Sequence, residues 1–599
     1  MRMSFRLAIR LALAVGALAL PLPAAGAVAE AVSTFTYSPN MRPLGFSERA
    51  VPLTGPVSGV FNSDLAFWED TAVQGTYEGF RLIDVSDSEN PIQLVNFTGC
   101  VQGTTTGNQG DVIVWDDIVV RSWDSPAPAA GAVCGGIFTP AGQEGLHIFD
   151  ISNPASPVGL AFVPTPCGSH TATAVPDLAR GRLLVYNSSS SGATGCRGID
   201  IVEVPLGNPA GARYLRFEPS GTAPGPHQVV VSAPSSAAGT YVAAGAEFGP
   251  PPSTTGVSGA FVLVNDGVAP TSDGCSPFTV PAGAIAVVDR GGCEFQAKAQ
   301  NAQNGGASAV VVVNNAPGAP ATMGGVNPAI VIPAVQVSQE DGAKLKAGLP
   351  ATGRVLSPAG ADRSCHDTGV ILGDAMTVAC AGGNGVSAWT IDPARGGSLE
   401  DPALLYSRVI PGVSIGHTAA FTWDGRVLIF GHEPGGGSQA RCQATSSVVD
   451  RTLFFLDAAT GDTIGTFLHP RPQSATENCT WHNLNVVPTQ LGYVLVSGNY
   501  QSGISVVDFT NPANAREIAF ADPAPLVHPT DPNAVVGGGD WSTYWYNGRI
   551  YESDIRRGLI IWRLGDIFTP EGRMVAAART LSHLNPQTQE MTLLLRRRG

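Results

Sequence analysis

Charge is scarce in this chain. Only 14% of the 599 residues are Asp, Glu, Lys or Arg, and 48 acids against 34 bases leave a net charge of −14. An acidic surface of this kind repels nucleic acid and anionic membrane, so neither is an expected partner. Long apolar runs are also missing. After the first residues no stretch approaches the ~18 uninterrupted apolar residues of a spanning helix, so no membrane span is expected once the leader is removed. No C-x-x-C pair occurs, which argues against a zinc ribbon or a thioredoxin-like motif. There is no Walker loop and no dinucleotide fingerprint.

What is abundant is turn chemistry. The chain has 72 Gly and 47 Pro, which with few charges suggests short strands joined by turns. Its ends carry further information. Arg2, Arg6 and Arg10 precede an apolar run from Leu11 to Leu22 and the small residues Ala27, Val28 and Ala29. This is the pattern of a secretory signal peptide over 1–29, cleaved after Ala29, with an uncleaved anchor as the alternative. The expected destination is the periplasm or the medium. Ten cysteines in an exported chain suggest disulfides rather than thiol chemistry. Proximity in sequence favours Cys275–Cys293 and Cys442–Cys479.

One pattern recurs seven times, beginning at Arg81, Leu146, Ile199, Val386, Leu453, Ile504 and Leu559. Each copy is a short apolar strand, usually with an acid near its end and a polar turn after it. The spacing is roughly 50 to 65 residues, with one interval lengthened by about 130, which is the period of a propeller blade carrying one insertion. One four-stranded blade cannot bury both its faces, whereas seven arranged radially can. The expected fold is mainly β: a seven-bladed β-propeller with blades 1–3 over 30–225, blades 4–7 over 357–570 and a C-terminal tail over 571–599. Ring closure has two candidates, a strand from about 572–578 or one from the segment before Ser63. The copies resemble the LVIVD repeat of bacterial extracellular propellers. That resemblance speaks to fold, since propellers host binding, scaffolding and catalysis alike.

Between the third and fourth copies the pattern changes. Ala284–Asp289 reads as a buried strand. Cys293–Asn304 reads as a helix with Phe295, Ala299 and Ala302 on one face, stopped by Gly305 and Gly306. A second buried strand follows over 309–313, completing an α/β crossover unit. Asp289, Arg290, Gly291, Cys293, Phe295, Lys298, Ala299, Gly306, Ala307, Asn314, Asn315, Met323, Gly324 and the Ile332–Ala334 segment closely resemble the protease-associated (PA) domain, placed at 226–356. The resemblance implies a non-catalytic module that binds a peptide or protein or covers a neighbouring site, not proteolysis.

The histidines share one place in the repeat. His170, His366, His417 and His482 each stand where a blade's first strand begins, and Asp64, Asp111 and Asp540 occupy the matching point elsewhere, with Asp367 beside His366. The innermost strand of a blade lines the central channel, so these groups are expected as a ring around one mouth. Two readings stay open. The ring could bind one transition-metal ion, which imidazole suits, or each His or Asp could hydrogen-bond the backbone of the next blade. Some His-lined propellers, such as the selenium-binding protein or methanethiol oxidase group, use channel histidines for copper. That is an analogy of fold alone.

Two local motifs are set aside. Gly412–Gly416 fits G-x-S-x-G, yet Pro411 precedes it and a channel strand follows, so Ser414 is not expected to be a nucleophile. His432-Glu433 lacks the second His of a zincin helix, and Pro434 forbids that helix. The pair could still lie at a blade edge beside the channel. Three functions follow: an exported binding protein with a peptide or protein ligand, a metal-dependent hydrolase or oxidase working through the histidine ring, or an accessory subunit of a secreted protease.

Overall fold

The computed structural model describes residues 24–49, 61–101, 108–189, 196–220, 227–246, 248–250, 252–253, 255–325, 327–357, 364–565 and 570–590. The chain separates into two compact units, one made of 1–220, 363–406 and 410–599, the other of 221–362 with 407–409.

The first unit is a seven-bladed propeller. Each blade is a four-stranded antiparallel sheet whose first strand is innermost. Those inner strands are Asn62–Trp68, Val112–Trp115, Thr171–Asp177, Asp367–Leu372, Gly416–Phe421, Asn483–Val486 and Asp540–Tyr546, for blades 1 to 7. They are almost wholly buried, whereas outer strands such as Ile92–Phe97 are not. Buried apolar side chains from neighbouring blades pack between the sheets, as Phe67 does against Tyr546 and Tyr551.

The recurring acid of the repeat has a local job. Asp84, Asp150, Asp457 and Asp508 each end a blade's third strand and accept a backbone N–H two residues on, at 2.7–3.0 Å. Such a side-chain turn starts the reversal into the outer strand. The repeat acids are therefore turn formers.

Closure comes from the segment before Ser63. Met41–Glu48 pairs antiparallel with Gly558–Leu564 and supplies the outer strand of blade 7. The rival candidate, about 572–578, falls largely in the helix Pro570–Ala577. The segment expected as a tail is in its described part a structural element. His583–Leu584 pairs with the end of the inner strand of blade 1, and Thr588–Glu590 pairs parallel with that of blade 4. Between them Asn585 bonds both backbone groups of Val114 in blade 2, at 2.7 and 2.8 Å. Thr588 donates to the Ala174 carbonyl in blade 3. The chain thus crosses four inner strands at one end of the channel.

The signal segment lies outside the described residues up to position 23, and the expected cleavage point falls within the helix Ala24–Ala31. No helix among the described residues is long and apolar enough to cross a membrane. All ten cysteines pair, as Cys100–Cys134, Cys167–Cys196, Cys275–Cys293, Cys365–Cys380 and Cys442–Cys479.

The second unit closes seven strands into a barrel. The helix Phe295–Asn304 links the parallel strands Ile285–Asp289 and Ala309–Val313, and Ala334–Val337 pairs parallel with the second of them. Ala299 and Ala302 are buried on that helix, and Phe295 packs half-buried on the same cluster. Lys298 is buried too, held by the carbonyls of Asp273 and Gly291.

Candidate metal centre in the propeller channel

Inner strands begin at the same end of the ring, so their first residues converge there. His170, His366 and His482 each stand immediately before the first strand residue, and His417 is the second residue of its strand. Hydroxyls of neighbouring blades fix these backbones. Ser122 Oγ donates to the His170 carbonyl at 2.9 Å, Thr171 Oγ1 to that of His366 at 2.6 Å, and Thr418 Oγ1 to that of His482. Blade-to-blade bonding at these three points is met by Ser and Thr, and the His482 ring adds a further bond of this kind, its Nδ1 lying 2.6 Å from the Trp541 carbonyl of blade 7.

The four rings form a continuous arc. Ring centres are 4.5 Å apart from His170 to His366, 4.0 Å from His366 to His417, and 4.2 Å from His417 to His482. The cavity they line also exposes Asp64, Asp111 and Asp367 and reaches Pro586 of the C-terminal segment. Its free volume is about 20 Å³, room for one water or one ion.

Glu433 completes the arc, and sequence reasoning left it out of the ring. It follows the second strand of blade 5, Val427–His432, and is buried. Its carboxylate oxygens lie 3.8 Å from His417 Nε2 and 3.7 Å from His482 Nε2, and Tyr500 donates to it at 2.7 Å. Donor atoms of His366, His417 and Glu433 all lie within 4.8 Å of one another. The available signal was the His432-Glu433 pair at the end of a strand that neighbours the channel strand. Tyr500 holds φ at +56°, a left-handed conformation costly for a residue with a side chain. Its backbone exchanges two hydrogen bonds with Asp540, which keeps it there.

The tautomers matter. His482 Nδ1 lies 2.6 Å from the Trp541 carbonyl, so that nitrogen carries the proton and Nε2 presents a lone pair toward Glu433. His170 Nδ1 lies 3.4 Å from Asp124. His366 Nδ1 is buried without a partner. Burial pushes the His482 imidazole down to about 3 and holds His366 and His417 well below the ordinary range, so all three are neutral. Neutral imidazoles aimed at a buried carboxyl could hold a cation, and the Trp541 carbonyl fixes the orientation of the His482 ring.

The acids behave differently. Tyr544 donates to Asp64 at 2.8 Å, and the Ala172 N–H reaches Asp111 at 2.5 Å. Asp64 and Asp111 hydrogen-bond each other, and burial holds both above the usual carboxylate range. Asp367, beside His366, is raised by burial too. Asp540 is not part of this wall. Its backbone is committed to Tyr500 and its carboxylate takes the Thr543 hydroxyl, so Trp541 faces the cavity in its place.

Two other groupings resolve on inspection. Ser414 Oγ lies 3.4 Å from His432 Nε2, yet the Ser414 backbone N–H already donates to that nitrogen at 3.2 Å. His432 Nδ1 faces the Val449 carbonyl at 3.3 Å, and no carboxylate among the described residues hydrogen-bonds the ring, so they form no triad. Cys442, His469 and Cys479 come within ligand distance of one another, but the two sulfurs are joined as a disulfide.

Comparison with known proteins locates one module. Residues 228–345 match the PA domain family. A signal peptide peptidase-like 3 of Oryza sativa subsp. japonica is 37% identical over 86 residues, covering 14% of this chain and 16% of that one. A zinc aminopeptidase from Bacillus subtilis matches 24% of this chain and 33% of its own at 23% identity, with a TM-score of 0.18. A protein from Lactobacillus plantarum matches 88% of this chain and 97% of its own at 8% identity, with a TM-score of 0.38. The chain thus spans under a fifth of the curated relative and a third of the aminopeptidase, and the PA domain is the one family resemblance these comparisons establish.

Proposed function

We propose that the protein is an exported metalloprotein whose propeller channel holds one transition-metal ion on His366, His417, His482 and Glu433. The observation that supports this most is the convergence of neutral imidazole nitrogens on one buried carboxyl, with donor atoms of His366, His417 and Glu433 all within 4.8 Å of one another. His170, partly exposed beside Asp124, stands at the open side. A bound metal there would polarise a water or small ligand for hydrolytic or oxidative chemistry. Asp111, held well above the ordinary carboxylate range by burial, and Asp64, hydrogen-bonded to it, would share a proton at the same cavity. Five disulfides suit an oxidising, extracytoplasmic compartment.

The PA domain supports a second activity in the same chain, capture of a peptide or protein ligand. An accessory role to a secreted protease would use that same module.

Metal content is the test. Protein exported and purified without chelator or affinity metal is analysed by plasma mass spectrometry. About one equivalent of a transition metal is expected, lost in a His366→Ala/His417→Ala double variant. Protein that stays metal-free after reconstitution with zinc, copper, iron and nickel salts removes the metal centre and leaves peptide capture as the function.

A further inference from the structure

Three of the four channel histidines follow a disulfide directly. Cys167 stands three residues before His170, Cys365 one residue before His366, and Cys479 three residues before His482. The bonds reach different partners. Cys167–Cys196 and Cys365–Cys380 each staple the approach to an inner strand onto another strand region of the same blade. Cys442–Cys479 ties the approach to blade 6 to the loop that follows Glu433 in blade 5. The segment bearing Glu433 and the one bearing His482 are thereby linked. Two hydrogen bonds reinforce the link, Asn478 Nδ2 to the Gly437 carbonyl at 2.8 Å and the Cys479 N–H to the Gln439 carbonyl at 3.3 Å.

His417 has no such staple, and its approach is held differently. The Gly416 N–H donates to the Gly383 carbonyl at 2.7 Å. An ideal Cβ on Gly416 would stand 2.8 Å from the Gly382 nitrogen, and one on Gly382 would stand 1.6 Å from the Ser364 carbonyl oxygen. Close backbone packing between blades 4 and 5 fixes that position. The other two disulfides do not lie on the approach to a channel histidine. Cys100–Cys134 joins the strands Cys100–Val101 and Ala132–Cys134 in a small separate sheet, and Cys275–Cys293 lies in the second unit.

We propose that Cys167–Cys196, Cys365–Cys380 and Cys442–Cys479 are positioning elements of the metal centre, so that the channel takes up metal only once these cysteines are oxidised. This rests on the metal reading above and adds its regulation. Each closure removes two electrons and two protons from a thiol pair and passes them to an external disulfide oxidant, which is reduced to a dithiol. A thiol pair leaves the start of the inner strand free to move, and ligands must be held within a few tenths of an ångström for a metal site to form. In a reducing cytoplasm the chain would remain without metal, and loading would follow export.

The test compares disulfide pairs in the full-length oxidised protein, with Co²⁺ as the spectroscopic probe. Cys365→Ser/Cys380→Ser, Cys442→Ser/Cys479→Ser and Cys167→Ser/Cys196→Ser are expected to weaken Co²⁺ binding by about 10- to 100-fold, the range seen when groups orienting a ligand are removed. Cys100→Ser/Cys134→Ser and Cys275→Ser/Cys293→Ser are expected to stay within about twofold of the parent. Near-ultraviolet circular dichroism of each variant reports folding, and three independent pairs keep the test alive if one fails to fold. Equal effects from all five pairs, or none from the three, would overturn the proposal. Imidazole nitrogen resonances of the metal-free protein give a second readout. They should shift and broaden in the three variants and not in the two controls. If the parent binds no Co²⁺, the metal centre itself has failed, and those resonances alone decide whether the disulfides position the rings.

Discussion

The two walls of the channel make an instructive pair. One carries His366, His417 and His482, the other Asp64 and Asp111. Both are buried, and burial shifts both toward the uncharged form, by pulling the imidazoles down and pushing the carboxyls up. What differs is where their hydrogen bonds go. The acids are satisfied by each other, by Tyr544 and by the Ala172 N–H. The imidazoles leave nitrogens facing Glu433 at 3.7 and 3.8 Å or, at His366 Nδ1, facing nothing. The acid wall keeps its hydrogen bonds within itself. The imidazole wall, with lone pairs left facing Glu433, is the one to which the proposed cation would bind.

The largest effect should come from emptying the imidazole wall. His366→Ala/His417→Ala is expected to weaken transition-metal binding by more than about 100-fold, read by isothermal titration with Zn²⁺, while the far-ultraviolet spectrum holds. Unchanged affinity would place the metal elsewhere.

Glu433→Gln separates charge from shape. Burial pushes Glu433 up to about 7 from its ordinary 4.5. For an acid raised in this way, the folded state holds its proton where the unfolded chain has lost it. Stability is therefore greatest below 4.5 and falls as pH rises toward about 7, by ~3 kcal/mol in the metal-free protein. Glu433→Gln should flatten that slope in denaturant titrations and lower metal affinity by roughly 10- to 100-fold. A variant that retains both the slope and the affinity would remove Glu433 from the site.

On the acid wall the expected pattern reverses. Asp111→Asn keeps an acceptor for the Ala172 N–H and loses the titration. Metal affinity should stay within about threefold, while the loss of apo stability on raising pH above the ordinary carboxylate range becomes shallower, because a carboxyl held high favours the folded state only while protonated. A steep drop in metal affinity would merge the two walls into one site. Tyr544→Phe is the mildest change: it strands one buried oxygen of Asp64 and should cost about 1–3 kcal/mol without altering metal stoichiometry.

The contrast also shows how far the sequence could be read. Period and alternation identify blades because each strand's pattern is local, and the approach to each inner strand is a fixed point in that period. His170, His366, His417 and His482 were therefore legible as one group. Asp540 occupies the matching place, yet its backbone pairing with Tyr500 and the Thr543 hydroxyl hold its carboxylate away from the cavity. Position in a repeat gives the location of a backbone, not the direction of a side chain. Glu433 shows the converse. It comes from the end of a second strand, and only the packing of blades 5 and 6 brings it against His417, His482 and Tyr500.

By itself the sequence determined the seven blades, the PA insertion and the shared blade position of the histidines, since all three are written in short-range pattern. Tertiary structure decided which strand closes the ring, that residues 583–590 cross one end of the channel, and that Glu433 rather than Asp540 meets the imidazoles. Those outcomes depend on contacts between residues up to hundreds of positions apart, where burial and the satisfaction of each polar atom select one partner from many, and no local pattern records that choice.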